Sequence, residues 1–220
     1  MRRSTLLLTS TVGLLVLYLA GAAALGSGPD AKDDGAAVVT WFRDNGDHVR
    51  VWAWIAILTG LLFAVFAALV RSRLPAPHRD VFFFGAIALA TETAVQSWIW
   101  LGLAWHAGSL EPATARVLLD VASFWGPVLT STTILMMAPI ALLAWKGSAG
   151  LPRWLAYVTG VVVVEQLVET ITVYGKDGFT APGGPMNLLL GAGLFLIAIV
   201  CIGVAVSFAI RDEEAAGNPT

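Results

Sequence analysis

The chain has 220 residues, 57% of them hydrophobic and only 13% charged, with a formal net charge of −2. This composition excludes an ordinary soluble domain and, lacking any basic excess, a nucleic-acid-binding surface. A single cysteine, Cys201, excludes an internal disulfide, and His48, His78 and His106 lack the spacing of metal ligands, so neither a metal nor a cofactor is expected.

Apolar runs long enough to cross a bilayer as helices fall at residues 5–25, 51–70, 81–105, 117–145, 154–174 and 186–210. They are continuous rather than alternating, which predicts helices and not a barrel. The expected fold is all-α: one polytopic membrane domain, a six-helix transmembrane bundle. Arg2 and Arg3 before the first run resemble the start of a secretory signal, with Ala22-Ala23-Ala24 as a cleavage region. The apolar run of about twenty residues is longer than a signal core, so it is read as a retained span.

Residues 26–50 form an acidic loop that contains a short helix, Ala36 to Arg43, stopping near Asn45-Gly46. Trp41 and Phe42 on it are expected at headgroup level, as an interfacial anchor or as a lid over an outward-facing cavity. Arg2 and Arg3, then Arg71, Arg73 and Arg79, then Lys146 and Arg153, then Arg211 all fall on one side of a six-span chain. That side is expected to be cytoplasmic, with both termini inside a cell (inner or plasma) membrane.

Sliding the chain over itself by 73 residues superposes spans two and three on spans four and five. Trp52 then falls on Trp125, Thr59 on Thr132, Glu92 on Glu165 and Gln96 on Glu169. A tandem two-helix repeat of this kind relates its hairpins by an axis along the membrane normal and turns the two acid segments toward each other.

Charged side chains at the centre of a membrane helix cost roughly 2.5–3.5 kcal/mol on insertion scales, so intramembrane acids mark functional positions. Three are present: Glu92 in span three, and Glu165 and Glu169 one helical turn apart in span five. Gln96 and His106 continue the Glu92 stripe, and Gln166, Thr172 and Tyr174 accompany the span-five acids. Asp120 and Thr130 come from span four, where Pro127 and Pro139 flank a hydroxyl run and suggest local unwinding. With no lysine or arginine at their depth, paired carboxyls share a proton rather than both ionise. Spans one and six look peripheral, and Asp212-Glu213-Glu214 in the tail 211–220 reads as a solvated end.

The leading reading is a small proton- or cation-coupled transporter of an apolar or cationic solute. Its cavity opens outward, and Glu92, Glu165 and Glu169 carry the charge. The alternative is a membrane-embedded, cyclase-like enzyme acting on a lipid or isoprenoid, with a protonated glutamate as general acid and Trp98, Trp100 and Trp125 lining a carbocation. A third reading is an accessory subunit without chemistry. The partners expected are the bilayer, the solute or lipid, and an oligomeric or membrane-subunit neighbour.

Overall fold

The computed structural model describes residues 2–217. Among them every regular element is helical: α1 (Arg3–Leu25), α2 (Gly35–Asp44), α3 (Gly46–Arg71), α4 (His78–His106), α5 (Pro112–Ser123), α6 (Trp125–Trp145), α7 (Arg153–Glu169) and α8 (Ala192–Ala215). A 3₁₀ turn, Thr170–Tyr174, continues α7, and a π-helical stretch, Met186–Gly191, leads into α8. With α5 joined to α6, the 3₁₀ turn to α7 and the π-helical stretch to α8, these elements make six helices long and apolar enough to cross a bilayer, as in a multi-pass membrane protein. Their ends run a few residues past the expected ones, most visibly at Gly46 and Ala215.

The bundle follows chain order: α1 packs on α3, α3 on α4, α4 on α6, α6 on α7, α7 on α8, and α8 returns to α1. One core takes Leu7 and Leu14 from α1, Phe66 from α3, Phe82 from α4, Met136, Met137 and Ile140 from α6, Leu155 from α7 and Ile202 from α8. Spans one and six are therefore not peripheral. Their close approach depends on Gly203, where an added Cβ would lie 2.1 Å from Thr11 Oγ1. The fourth span, α5 plus α6, is the most enclosed: 56% of its most apolar stretch is buried, against 28% for α1 and α4.

The break in span four comes at Phe124, between α5 and α6, and not at the prolines. Pro127 lies in the first turn of α6, where a missing N–H is harmless, and the helix continues through Pro139. The hydroxyl run mostly serves its own backbone: Thr130 Oγ1 donates to Pro127 O at 2.8 Å and Ser131 Oγ to Val128 O at 3.2 Å.

A second core caps one end. Asp34 starts α2 by accepting from Ala37 N at 2.8 Å, and α2 then packs on α5 through Val38, Val39, Phe42, Leu119 and the α4 residue Leu103. Phe42 is 1% exposed, so it is core and not a headgroup anchor. Trp41, Phe42, Trp52 and Trp100 make edge-on and tilted ring contacts at 5.0 to 5.8 Å.

At the opposite end the acidic tail is engaged rather than solvated. Glu213 pairs with Arg73, and Glu214 accepts from the N–H of Arg3 at 2.9 Å and from Ser4 Oγ at 2.7 Å. Glu214 thus caps the start of α1 from the end of α8, holding these two helix ends together at one end of the bundle.

Candidate functional site

Span five begins as a regular helix and loses its α geometry where the β-branched run Thr170-Ile171-Thr172-Val173 begins. Just before the break, Glu165, Gln166 and Glu169 project from adjacent positions of the same turn. Gln166 is 4% and Glu169 3% exposed; Glu165 is half-buried. Gln166 Nε2 donates to Glu165 Oε2 at 2.9 Å and also to Glu169 Oε2, bridging the two carboxyls with one amide.

The remaining partner comes from the last span. Asn187, 1% exposed in the π-helical stretch, donates through Nδ2 to Glu169 Oε1 and at 3.4 Å to Thr172 Oγ1; its Oδ1 accepts from Gly183 N at 2.8 Å. Two glycines make room. A Cβ at Gly191 would lie 2.2 Å from Glu169 Oε2, and one at Gly126, in the first turn of α6, 2.4 Å from Asn187 Cγ. Three elements thus close around one carboxyl: α7, α6 and the irregular start of the last span.

Three of the four carboxyl oxygens receive an amide N–H. The fourth, Glu165 Oε1, is buried and meets no hydrogen-bond partner among the described residues. A buried polar atom left in this way is costly unless it carries or receives a proton. The arrangement holds two acidic groups in apolar surroundings, with amide donors and no cation among their hydrogen-bond and ion-pair partners, and that chemistry suits the storage of one proton between them. Among the described residues no group of three or more His, Cys, Asp or Glu could hold a metal ion.

Glu92 is elsewhere. It is half-buried on α4 and meets Thr132 Oγ1 of α6 at 3.1 Å. The single hydroxyl proton of Thr132 has a second acceptor at 2.9 Å, Leu129 O. The facing of acid segments expected from the 73-residue offset is replaced by separate partners: α6 packs against α4 on one side and α7 on another, and each acid finds its contact locally.

Of the other sequence candidates, Thr172 and Gln166 join the Glu169 cluster. Gln96 is half-buried on α4. Trp98 is 67% and Tyr174 83% exposed, and Trp100 belongs to the capping core. Trp125 packs against the main core, and Thr130 bonds its own helix. Asp120 pairs with Arg116, which also donates to Asp33 O at 2.8 Å and so ties α5 to the loop before α2. His106 is exposed and lines an open depression of about 380 Å³ with Arg50, Leu101, Gly102 and Trp105, away from the carboxyls.

No family model matches this chain. Nor does any curated protein or any solved structure. The site therefore rests on its own geometry.

Asn187, Gly126 and Gly191 lie outside the site candidates the sequence offered; in the last apolar run Asn187 and Gly191 suit close helix packing and no more. A signal for Asn187 existed, since it is the one amide in the last apolar run. The glycines offered none, because a glycine that admits a distant side chain looks like any other packing glycine.

Proposed function

We propose that the chain is a small proton-coupled transporter in which Glu165 and Glu169 hold and release a proton as an apolar or cationic solute moves. The observation that carries this reading is the amide-bridged carboxyl pair, buried against Asn187 with one oxygen unpartnered. With one proton between them the carboxyls form a neutral-plus-anion pair that the two amides can satisfy. With none, two negative charges face each other in apolar surroundings and favour any rearrangement that separates them or admits a cation.

Both elements that hold the pair are irregular at this point, 3₁₀ after Glu169 and π-helical around Asn187. Broken helices at a binding site are a recurring device of transporters, and π segments recur at functional sites. A proton that binds the two arrangements unequally shifts their populations, and this is the coupling that transport requires.

In this reading the end that carries both termini and the basic α3–α4 and α6–α7 turns faces the cytoplasm of a cell membrane. The α3–α4 and α6–α7 hairpins are then tandem repeats in which the second has acquired the working carboxyls. Glu92, with its hydroxyl partner, is a subsidiary polar position. The cyclase-like alternative has less support, because Trp98 faces outward and Trp100 is committed to the cap, so neither walls the carboxyl pair.

The test is proton movement in proteoliposomes loaded with a pH-sensitive dye and challenged with a panel of lipophilic cations and neutral apolar solutes. Solute-dependent proton flux that disappears in Glu169→Gln and in Glu165→Gln is expected. Flux of equal size in Glu169→Gln, or none with any solute across the panel, would overturn the reading.

A further inference from the structure

From Val121 to Val164 the sequence holds no aspartate or glutamate, yet Lys146 and Arg153 flank the turn between α6 and α7. Other arginines at this end of the bundle meet carboxylates: Arg71 reaches Asp80 at 2.9 Å, Arg79 reaches Asp80 at 3.5 Å, and Arg73 pairs with Glu213. Among the described residues neither Lys146 nor Arg153 has an ion-pair or hydrogen-bond partner for its side chain. Arg153 instead lines an open groove of about 240 Å³ with Trp145 and Tyr157, whose rings meet edge-on at 5.9 Å.

The groove continues as an apolar track. Arg153, Tyr157, Val161 and Val164 follow one another at intervals of four, four and three residues and so share one stripe of α7. Leu142 lies one turn from Trp145 on α6. Leu142 is 54%, Val161 55% and Val164 61% exposed, so these outer faces are uncovered. A cationic group at the end of a helical hairpin, an aromatic pair beside it and an exposed apolar stripe below match, in order, a phosphate, a glycerol backbone and an acyl chain.

We propose that this groove is a binding site for an anionic glycerophospholipid. The lipid phosphate sits on the Arg153 guanidinium within the field of Lys146. The Tyr157 hydroxyl and Trp145 edge flank the glycerol region, and one acyl chain runs along Leu142, Val161 and Val164. Charge complementarity selects the headgroup class: with no carboxylate between Val121 and Val164, an anion gains from both basic groups and a zwitterion gains little. The site is independent of the carboxyl pair and of its proposed transport.

The full chain in detergent is titrated with phosphatidylglycerol, with phosphatidylcholine of the same acyl chains and, separately, with inorganic phosphate, and bound lipid is counted by native mass spectrometry. Phosphatidylglycerol is expected to bind about tenfold more tightly than phosphatidylcholine. Arg153→Gln should weaken that binding roughly 5-fold and the Lys146→Gln/Arg153→Gln pair roughly 30-fold, while Arg153→Lys keeps most of it. Arg50→Gln, in the depression at the other end, should change nothing. Melting temperatures in phosphatidylcholine micelles report folding of each variant; if the double variant unfolds, the comparison of Arg153→Gln with Arg153→Lys decides. Equal binding of the two lipids, undiminished binding in Arg153→Gln, or displacement of phosphatidylglycerol by millimolar-scale phosphate would overturn the proposal.

Discussion

Asn187 Nδ2 donates to Glu169 Oε1, joining the fifth and last spans across 18 residues of sequence through two side chains that are each at most 3% exposed. The bond fixes the rotation of the π-helical stretch relative to α7 and gives the buried carboxyl a donor that does not depend on its protonation.

Removing that donor isolates a buried acceptor. Asn187→Ala is expected to destabilise the chain by about 1–3 kcal/mol, since Glu169 Oε1 and the Gly183 N–H both lose their partner. Asn187→Asp keeps the acceptor for Gly183 but adds a third carboxyl. It should therefore be more harmful than alanine near neutral pH and recover on acidification, as protonation removes the repulsion. Unfolding in mixed micelles, followed by tryptophan fluorescence at two pH values, measures both.

The glycines that admit the pair are expected to be intolerant. Gly191→Ala and Gly126→Ala place a methyl group 2.2 Å from Glu169 Oε2 and 2.4 Å from Asn187 Cγ, and each should cost about 1–3 kcal/mol. Gly193→Ala and Gly160→Ala, whose added Cβ meets nothing within 4 Å, should be neutral or mildly stabilising. In a double-mutant cycle, Glu169→Ala should relieve most of the Gly191→Ala penalty.

Glu92 and Glu169 are expected to act independently. Glu92→Gln combined with Glu169→Gln should give additive stability changes. Glu92→Leu, which removes the acceptor, and Thr132→Val should couple by about 0.6 kcal/mol, the usual size of an interhelical hydrogen bond in a membrane bundle. Coupling between Glu92 and Glu169 above that size would mean that the two sites communicate.

The capping of α1 by Glu214 can be tested at the chain ends. Glu214→Ala leaves the N–H of Arg3 and the hydroxyl of Ser4 without their carboxylate and should let the first turn of α1 fray. Limited proteolysis near the start of α1 should become faster, while solute-dependent proton flux persists.

Six helices long and apolar enough to cross a bilayer, and the three glutamates within them, were legible in the sequence, because apolar length and a charge inside it are local properties that survive any arrangement of helices. The short helix α2 was legible too, from the run Ala36 to Arg43 and the Asn45-Gly46 stop, though its Asp34 cap was not. Tertiary structure alone decided which side chain each acid meets. A helix carries its polar stripe wherever its rotation and its neighbours place it, so Glu92 turned to Thr132 and Glu169 to Asn187, although the 73-residue offset had aligned Glu92 with Glu165. Tertiary structure also decided that Phe42 is core, that the acidic tail binds the start of α1, and that Gly126 and Gly191 are openings for other side chains. Each depends on a neighbour far along the chain, and periodicity within a segment carries no information about such neighbours.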